Sequence, residues 1–295
     1  MTYDEQEALI DETRAQFPEI NFPTNMHKSP LYHGRREQVK IDGQHAVVGL
    51  LDDEERVYAT GVTDHYQVVP HEVALNQLMH ELTDNGLNLK EYGDPIVKPH
   101  LLADGGRMKI AIEFPEAVHT IKVAGNKKTV GRAIHPRATL WNSYDLSRGF
   151  MVTFEGIDEV CTNGMVGYKV QFATKKKHRL NLVTSEQLKS LPQGMAAFSE
   201  QVNVWQDWAN KQMKAIEAEM LVDALPFGER HTADILALPE IGSGETLEDW
   251  LRNDSVNTYR LNSIVTQFLT HEIESEMVRT DKGQKVAQVF HSMAA

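Results

Sequence analysis

An α+β fold is the prediction for this chain: an antiparallel β-sheet with a packed helix, followed by a helical C-terminal region. Three observations carry it. Short segments with period-2 alternation fill much of the stretch up to Arg179, as half-buried strands require. Turn residues such as Asp104-Gly105-Gly106 and Asn163-Gly164 stand between them. After Arg179 the apolar spacing lengthens to three to five residues, the repeat of helices. Strand after strand with tight turns and one early helix gives a sheet with a helix on one face.

Taken in order, residues 1–38 read as an acidic helix and an extended arm. The helix covers residues 2–17, with Leu9, Ile10 and Phe17 on one side. Pro18, Pro23 and Pro30 interrupt regular structure, so residues 21–36 form the arm, resting on its own domain or reaching a neighbouring subunit. Residues 39–180 form the sheet domain with a basic surface. Residues 47–51 and 57–60 flank the acidic Asp52-Asp53-Glu54-Glu55, which makes a hairpin. Pro70 suits the first turn of a helix carrying Val73, Leu75, Leu78, Met79 and Leu82. That helix ends at Asn85-Gly86, where glycine can adopt a left-handed cap. Met108, Ile110, Ile112 and Phe114 then alternate with Arg107, Lys109, Ala111 and Glu113, giving one apolar face and one that begins with two cations. Val118, Ile121 and Val123 lead into a basic turn, Gly125-Asn126-Lys127-Lys128.

Residues 138–179 are the centre of the sheet. Leu140, Trp141, Phe150, Val152 and Phe154 supply strand side chains around the turn residues Asn142-Ser143-Tyr144-Asp145 and Ser147-Arg148-Gly149. Val160 and Cys161 lead into Asn163-Gly164, which reads as a type I′ hairpin turn. Tyr168, Val170 and Phe172 alternate with Lys169 and Gln171, and the basic knot Lys175-Lys176-Lys177-His178-Arg179 closes the stretch. Residues 181–295 are an acidic helical region. A helix from Ser185 through Leu188 is interrupted by Pro192 and Gly194. A long helix over 195–221 carries Phe198, Val202, Trp205, Trp208, Met213, Ile216 and Met220. A short helix follows over 246–251 and a last clear one over 258–277, with a mixed tail to Ala295.

Composition bounds the function. The 295 residues, 41% hydrophobic and 24% charged, make one large globular domain or two ordinary ones. No apolar run approaches the ~20 residues of a membrane span, and the first residues lack the basic start and apolar core of a secretory leader. Cytoplasmic residence without membrane contact is the expectation. The one cysteine, Cys161, excludes an internal disulfide and a cysteine-rich metal site. There is no His-Glu-x-x-His, Cys-x-x-Cys or Gly-x-x-x-x-Gly-Lys motif, so no metal, cofactor or catalytic residue is expected. A net charge of −12 argues against nucleic acid until its distribution is seen. Between Lys98 and Arg179 stand fourteen lysines and arginines against seven acids, a balance of +7, so the remainder carries −19.

Four pieces of the chain carry a resemblance. They are Thr63-Asp64-His65-Tyr66-Gln67-Val68-Val69-Pro70, Asp104-Gly105-Gly106-Arg107, Asn142-Ser143-Tyr144-Asp145 and Val160-Cys161-Thr162-Asn163-Gly164-Met165. With the late run Asn262-Ser263-Ile264-Val265-Thr266-Gln267-Phe268-Leu269-Thr270-His271, they resemble the phage- and plasmid-borne family defined by a domain of unknown function. The likeness spans roughly residues 57–271. It implies a setting in phage or mobile-element DNA metabolism and offers no catalytic residue to carry over. At the level of fold alone, a helix-on-sheet core with hairpins is also similar to phage single-strand annealing proteins.

The leading expectation is therefore a non-enzymatic, homo-oligomeric protein that binds single-stranded DNA in recombination or replication. Its candidate contacts are Arg107 and Lys109 on one strand face, a rim of Lys127, Lys128, Arg132 and Arg137, then Lys169 and the knot residues Lys175, Lys176, Lys177 and Arg179. Each also reads as a solvated charge on a turn or sheet face. Tyr144 is a candidate platform for unpaired bases, against the plainer reading of a turn residue. Two other classes stay open: a module that engages a host protein through the acidic surface, and a metal-dependent nuclease.

Overall fold

The computed structural model describes residues 3–33, 37–83, 89–124, 129–158, 163–165, 174–179, 182, 184–241, 244–252 and 256–294. The fold is α+β, and the described residues form two antiparallel sheets and a helical C-terminal region. After helix α1 (Tyr3–Gln16), strands β1 (Thr24–His33), β2 (Glu37–Leu51) and β3 (Glu54–Thr63) build a three-stranded sheet in that order. The acidic turn is a hairpin as expected. Leu51 pairs with Glu54, and Asp52 and Asp53 hold φ of 53° and 61°, the left-handed pair that matches strand twist. Of the two readings of the extended arm, residues 24–33 take the first: they lie on their own chain as an edge strand paired with β2 along one side.

Helix α2 (His71–Thr83) starts behind Pro70, whose carbonyl accepts from Ala74 N at 3.0 Å. The cap expected at Asn85-Gly86 lies outside the described residues. The second sheet holds β4 (Ile96–Leu102), β5 (Arg107–Glu113), β6 (His119–Ala124), β7 (Thr129–Ser143), β8 (Phe150–Asp158), β9 (Asn163–Met165) and β10 (Thr174–Lys176). Its order is β10-β8-β7-β5-β4, with β6 beside β7 and β9 beside β8. Alternation along β5 is obeyed: Met108, Ile110 and Ile112 are fully buried while Arg107, Lys109 and Glu113 are half-buried. The β8–β9 hairpin exists, but Asn163 and Gly164 are strand residues opposite Asp158 and Ile157, not its turn. The connecting residues 159–162, with Cys161, lie outside the described residues, as does the alternating run over 166–173.

Among the described residues seven helices follow: α3 (Thr184–Leu188), α4 (Leu191–Asn210), α5 (Ala215–Asp223), α6 (Glu229–Ala237), α7 (Leu247–Arg252), α8 (Thr258–His271) and α9 (Glu276–Ala294). Three expectations change here. Pro192 and Gly194 do not interrupt a helix. Pro192 stands in the first turn of α4, where its missing N–H costs nothing, and a Cβ on Gly194 would fall 2.1 Å from the Phe154 ring. The long helix is two. Its pattern skips five residues from Trp208 to Met213, and there the backbone leaves the helix so that Met213 N–H meets Val256 O at 2.9 Å. The mixed tail is helix α9, separated from α8 by residues 272–275.

The described residues form three apolar clusters. The inner face of the large sheet, with Ile110, Leu140, Phe150 and Val152, packs on α2, α3 and the start of α4. The rest of α4 and helices α5–α9 close on Ile121, Val123 and Ile134. Phe22, ahead of β1, and Val47 and Val62 of the small sheet gather around Tyr144. Helix α8 is enclosed, every residue from Thr258 to Leu269 being buried. No described helix is long and apolar enough to cross a membrane.

Candidate functional site

The outer face of the large sheet carries the predicted groove cations, and the fold supplies them with carboxylates. Arg107 Nε donates to Asp145 Oδ2 at 2.6 Å. Arg137 stands opposite Glu155 across β7 and β8, and its Nε donates to Glu155 Oε1 at 2.6 Å. Glu113, opposite Arg137 on β5, accepts from Lys98 Nζ at 2.6 Å. Burial pushes the Glu155 carboxyl up. Arg137, Lys109 and the Thr139 hydroxyl outweigh it and hold that carboxyl below its ordinary value. Lys109 Nζ lies 5.8 Å from the centre of the Trp141 ring. These cations belong to a charge-balanced face and do not make a bare phosphate track.

Two candidates are corrected outright. Arg132 is not a rim residue. Strand alternation puts it on the face of Ile134 and Ala138, and it is buried with Nη2 3.0 Å from Glu240 Oε1. Glu240 also accepts from Arg260 at 2.9 Å, and the Arg260 guanidinium lies 3.8 Å over the Trp250 ring. Tyr144 is not a platform for bases, because it is fully buried. Its ring stacks on His71 at 3.9 Å and 20°, with Tyr58 and Phe22 around it. The phenol oxygen accepts the His71 backbone N–H, and burial raises its pKa above the ordinary tyrosine value.

His71 completes this buried joint. Its Nε2 lies 3.0 Å from Gly105 O and its Nδ1 2.9 Å from Asn142 Nδ2. A carbonyl only accepts and an amide NH2 only donates, so the ring is the neutral Nε2–H tautomer. Burial lowers its pKa to about 3. Asn142 Nδ2 also donates to Val69 O at 2.8 Å, which ties the end of β7 to the entrance of α2.

The basic knot divides. Lys175 and Lys176 are strand residues opposite Met151 and Phe150 in β10. Lys127, Lys128 and Lys169 lie outside the described residues. Lys177 and Arg179 are exposed at a cavity of about 770 Å3, set between the end of β3, the β7–β8 connection and residues 177–179. Arg148, His65, Tyr66 and His178 also line it, and none of its described lining residues is Asp or Glu. Arg148 of this wall is buried and paired with Asp281, which leaves Lys177 and Arg179 as its exposed cations.

Local chemistry fixes that wall. His178 Nδ1 lies 3.2 Å from Gln67 O and so carries the proton. Gln67 N–H returns to His178 O at 3.4 Å, and Tyr66 stacks on the imidazole at 5.4 Å and 21°. Burial lowers the His178 pKa. On the other side, Ser147 N–H donates to Asp145 Oδ1 at 3.0 Å. Arg148 lies 4.8 Å over Trp141, and its Nη2 meets Asp281 Oδ1 of α9 at 3.1 Å. Leu146 holds φ of 61°, an uncommon conformation for a bulky residue, with its side chain 51% exposed. Sequence reasoning found the knot but not Tyr66, Leu146, Ser147 or His178 as one wall. They stand in connections, where no periodicity marks a face. No protein-family model, curated protein or solved structure matches the chain.

Proposed function

We propose that this chain is a non-catalytic nucleic-acid-binding protein of phage or mobile-element DNA metabolism. It works in the host cytoplasm and grips single-stranded DNA at the cavity bounded by Lys177, Arg179 and Arg148. The observation that carries the reading is a described lining with Lys177 and Arg179 exposed and no Asp or Glu of its own, Arg148 being buried and paired with Asp281, in a chain whose net charge is −12. The genetic setting rests on the resemblance of the four sequence pieces and the late helix. The charge-balanced sheet face plays no part in binding, which makes the contact small. Three to five cations, counting Lys175 and Lys176, imply a slope of log K against log salt between about −2 and −4 for single strands.

The test is fluorescence anisotropy with labelled oligothymidylate over a salt series, on the parent protein and on a K177E/R179E variant. The parent binds at low salt with that slope, and the variant loses affinity at least about tenfold with an unchanged melting temperature. Equal binding by the variant, or no binding by the parent at low salt, overturns the proposal. A slope near −7 would move the contact to a wider cation set than this cavity offers.

A further inference from the structure

A cation at the cavity draws phosphate, but phosphates are alike in single and paired strands, so a contact of that kind selects neither. Unpaired bases differ in offering their faces, which calls for a ring or an apolar side chain at the site. Of the described lining residues, Thr63, His65, Leu146, Lys177 and Arg179 are exposed. Leu146 is the apolar one among them, Val62 being buried. The Tyr66 ring is half-buried and already stacks on His178, with centres 5.4 Å apart.

The loop around Leu146 is closed on both sides. Asp145 accepts from Arg107 Nε at 2.6 Å and from Ser147 N–H at 3.0 Å. Ser143 Oγ donates to Arg148 O at 2.7 Å and accepts from Arg148 N–H at 3.2 Å. Between these closures Leu146 holds φ of 61°, which a glycine adopts without the clash of a Cβ. Neither the turn nor the core accounts for a leucine here: the turn favours glycine, and the residue is 51% exposed. A bulky residue kept in a strained conformation and offered to solvent at a cavity marks a contact with something outside the chain.

We infer that Leu146 determines the specificity of the cavity: its side chain packs on the face of an unpaired base and makes the site prefer single strands to duplex. This rests on the strand-binding reading and assigns to one residue a selectivity that cations lack.

Fluorescence anisotropy at low salt tests it with three labelled probes of equal length: oligothymidylate, an abasic strand and a duplex. The parent binds oligothymidylate more tightly than the other two. Leu146→Gly relieves the positive φ, so its melting temperature does not fall. It weakens oligothymidylate binding about fivefold, as loss of a contact by half of a leucine side chain implies. Its binding to the abasic strand and the duplex is unchanged. Its salt slope stays that of the parent, because an apolar contact releases no counterions, whereas Lys177→Ala flattens the slope by about 0.7. Leu146→Met restores an apolar side chain, and with it the affinity and the preference.

Unchanged oligothymidylate binding by Leu146→Gly overturns the assignment. So does an equal loss on all three probes, which marks a residue that shapes the loop and touches no base. A parent without preference among the probes overturns it as well, as does failure of the methionine rescue. A preference abolished by His65→Ala and kept by Leu146→Gly moves the role to the imidazole and ends the case for leucine. In each of these outcomes strand binding itself stands. A parent that binds none of the probes at low salt removes strand binding, and this assignment with it.

Discussion

His71 shows how a single buried ring sets a pH response. Its pKa in the folded chain is about 3, against 6.5 for an unperturbed histidine. Between those values the unfolded chain binds a proton that the folded chain refuses. Its contribution is therefore fully present above about pH 6.5 and is lost as pH falls toward 3. By about pH 5 the loss attributable to this residue is on the order of 2 kcal/mol. Urea denaturation at pH 7.5 and pH 5 checks it: His71→Gln is less stable at both, but loses about 2 kcal/mol less on acidification than the parent. An equal acid loss in parent and variant contradicts the neutral assignment.

At the scale of elements, the joint between β7 and the helices is ionic and buried. Arg132 from the sheet, Glu240 from the connection before α7, and Arg260 from α8 form one chain of hydrogen bonds. Removing one member leaves an uncompensated buried charge, at about 3–5 kcal/mol. Glu240→Gln and Arg132→Met are each expected to cost that much in a denaturant midpoint, and the double variant less than the two together. Full additivity would mean that the bridge holds nothing. Arg132 was legible in the sequence: it shares parity with Ile134, Ala138 and Leu140, so strand period alone sent it inward. The hairpin at Asp52-Asp53 and the β5 face were likewise readable, because period and turn chemistry are local. The partners of Arg107 and Arg137 were not, since an ion pair across strands depends on register, and register is fixed by tertiary packing. Nor was the division of the long C-terminal pattern, which follows from a backbone bond between Met213 and Val256, far apart in sequence.

At the scale of the molecule, the described residues combine a charge-balanced sheet face with a recess whose exposed cations are Lys177 and Arg179. From the helical region Asp281, 62% exposed, pairs with Arg148 at this recess. Neutralising it should make the recess more positive. Asp281→Asn is expected to tighten binding to oligothymidylate about threefold at low ionic strength, with the gain shrinking as salt screens it. Weaker binding by this variant would show that the pair positions Arg148 and does not restrain it.

That pair has a bearing on how the protein is handled. One partner stands beside the recess and the other on the terminal helix, so a shortened version ending before residue 276 would have a differently held arginine at its mouth. A purification handle crowding that helix would intrude on the same contact. Affinities obtained from such preparations describe an altered recess, and only a chain that keeps its last nineteen-residue helix reports on the native one.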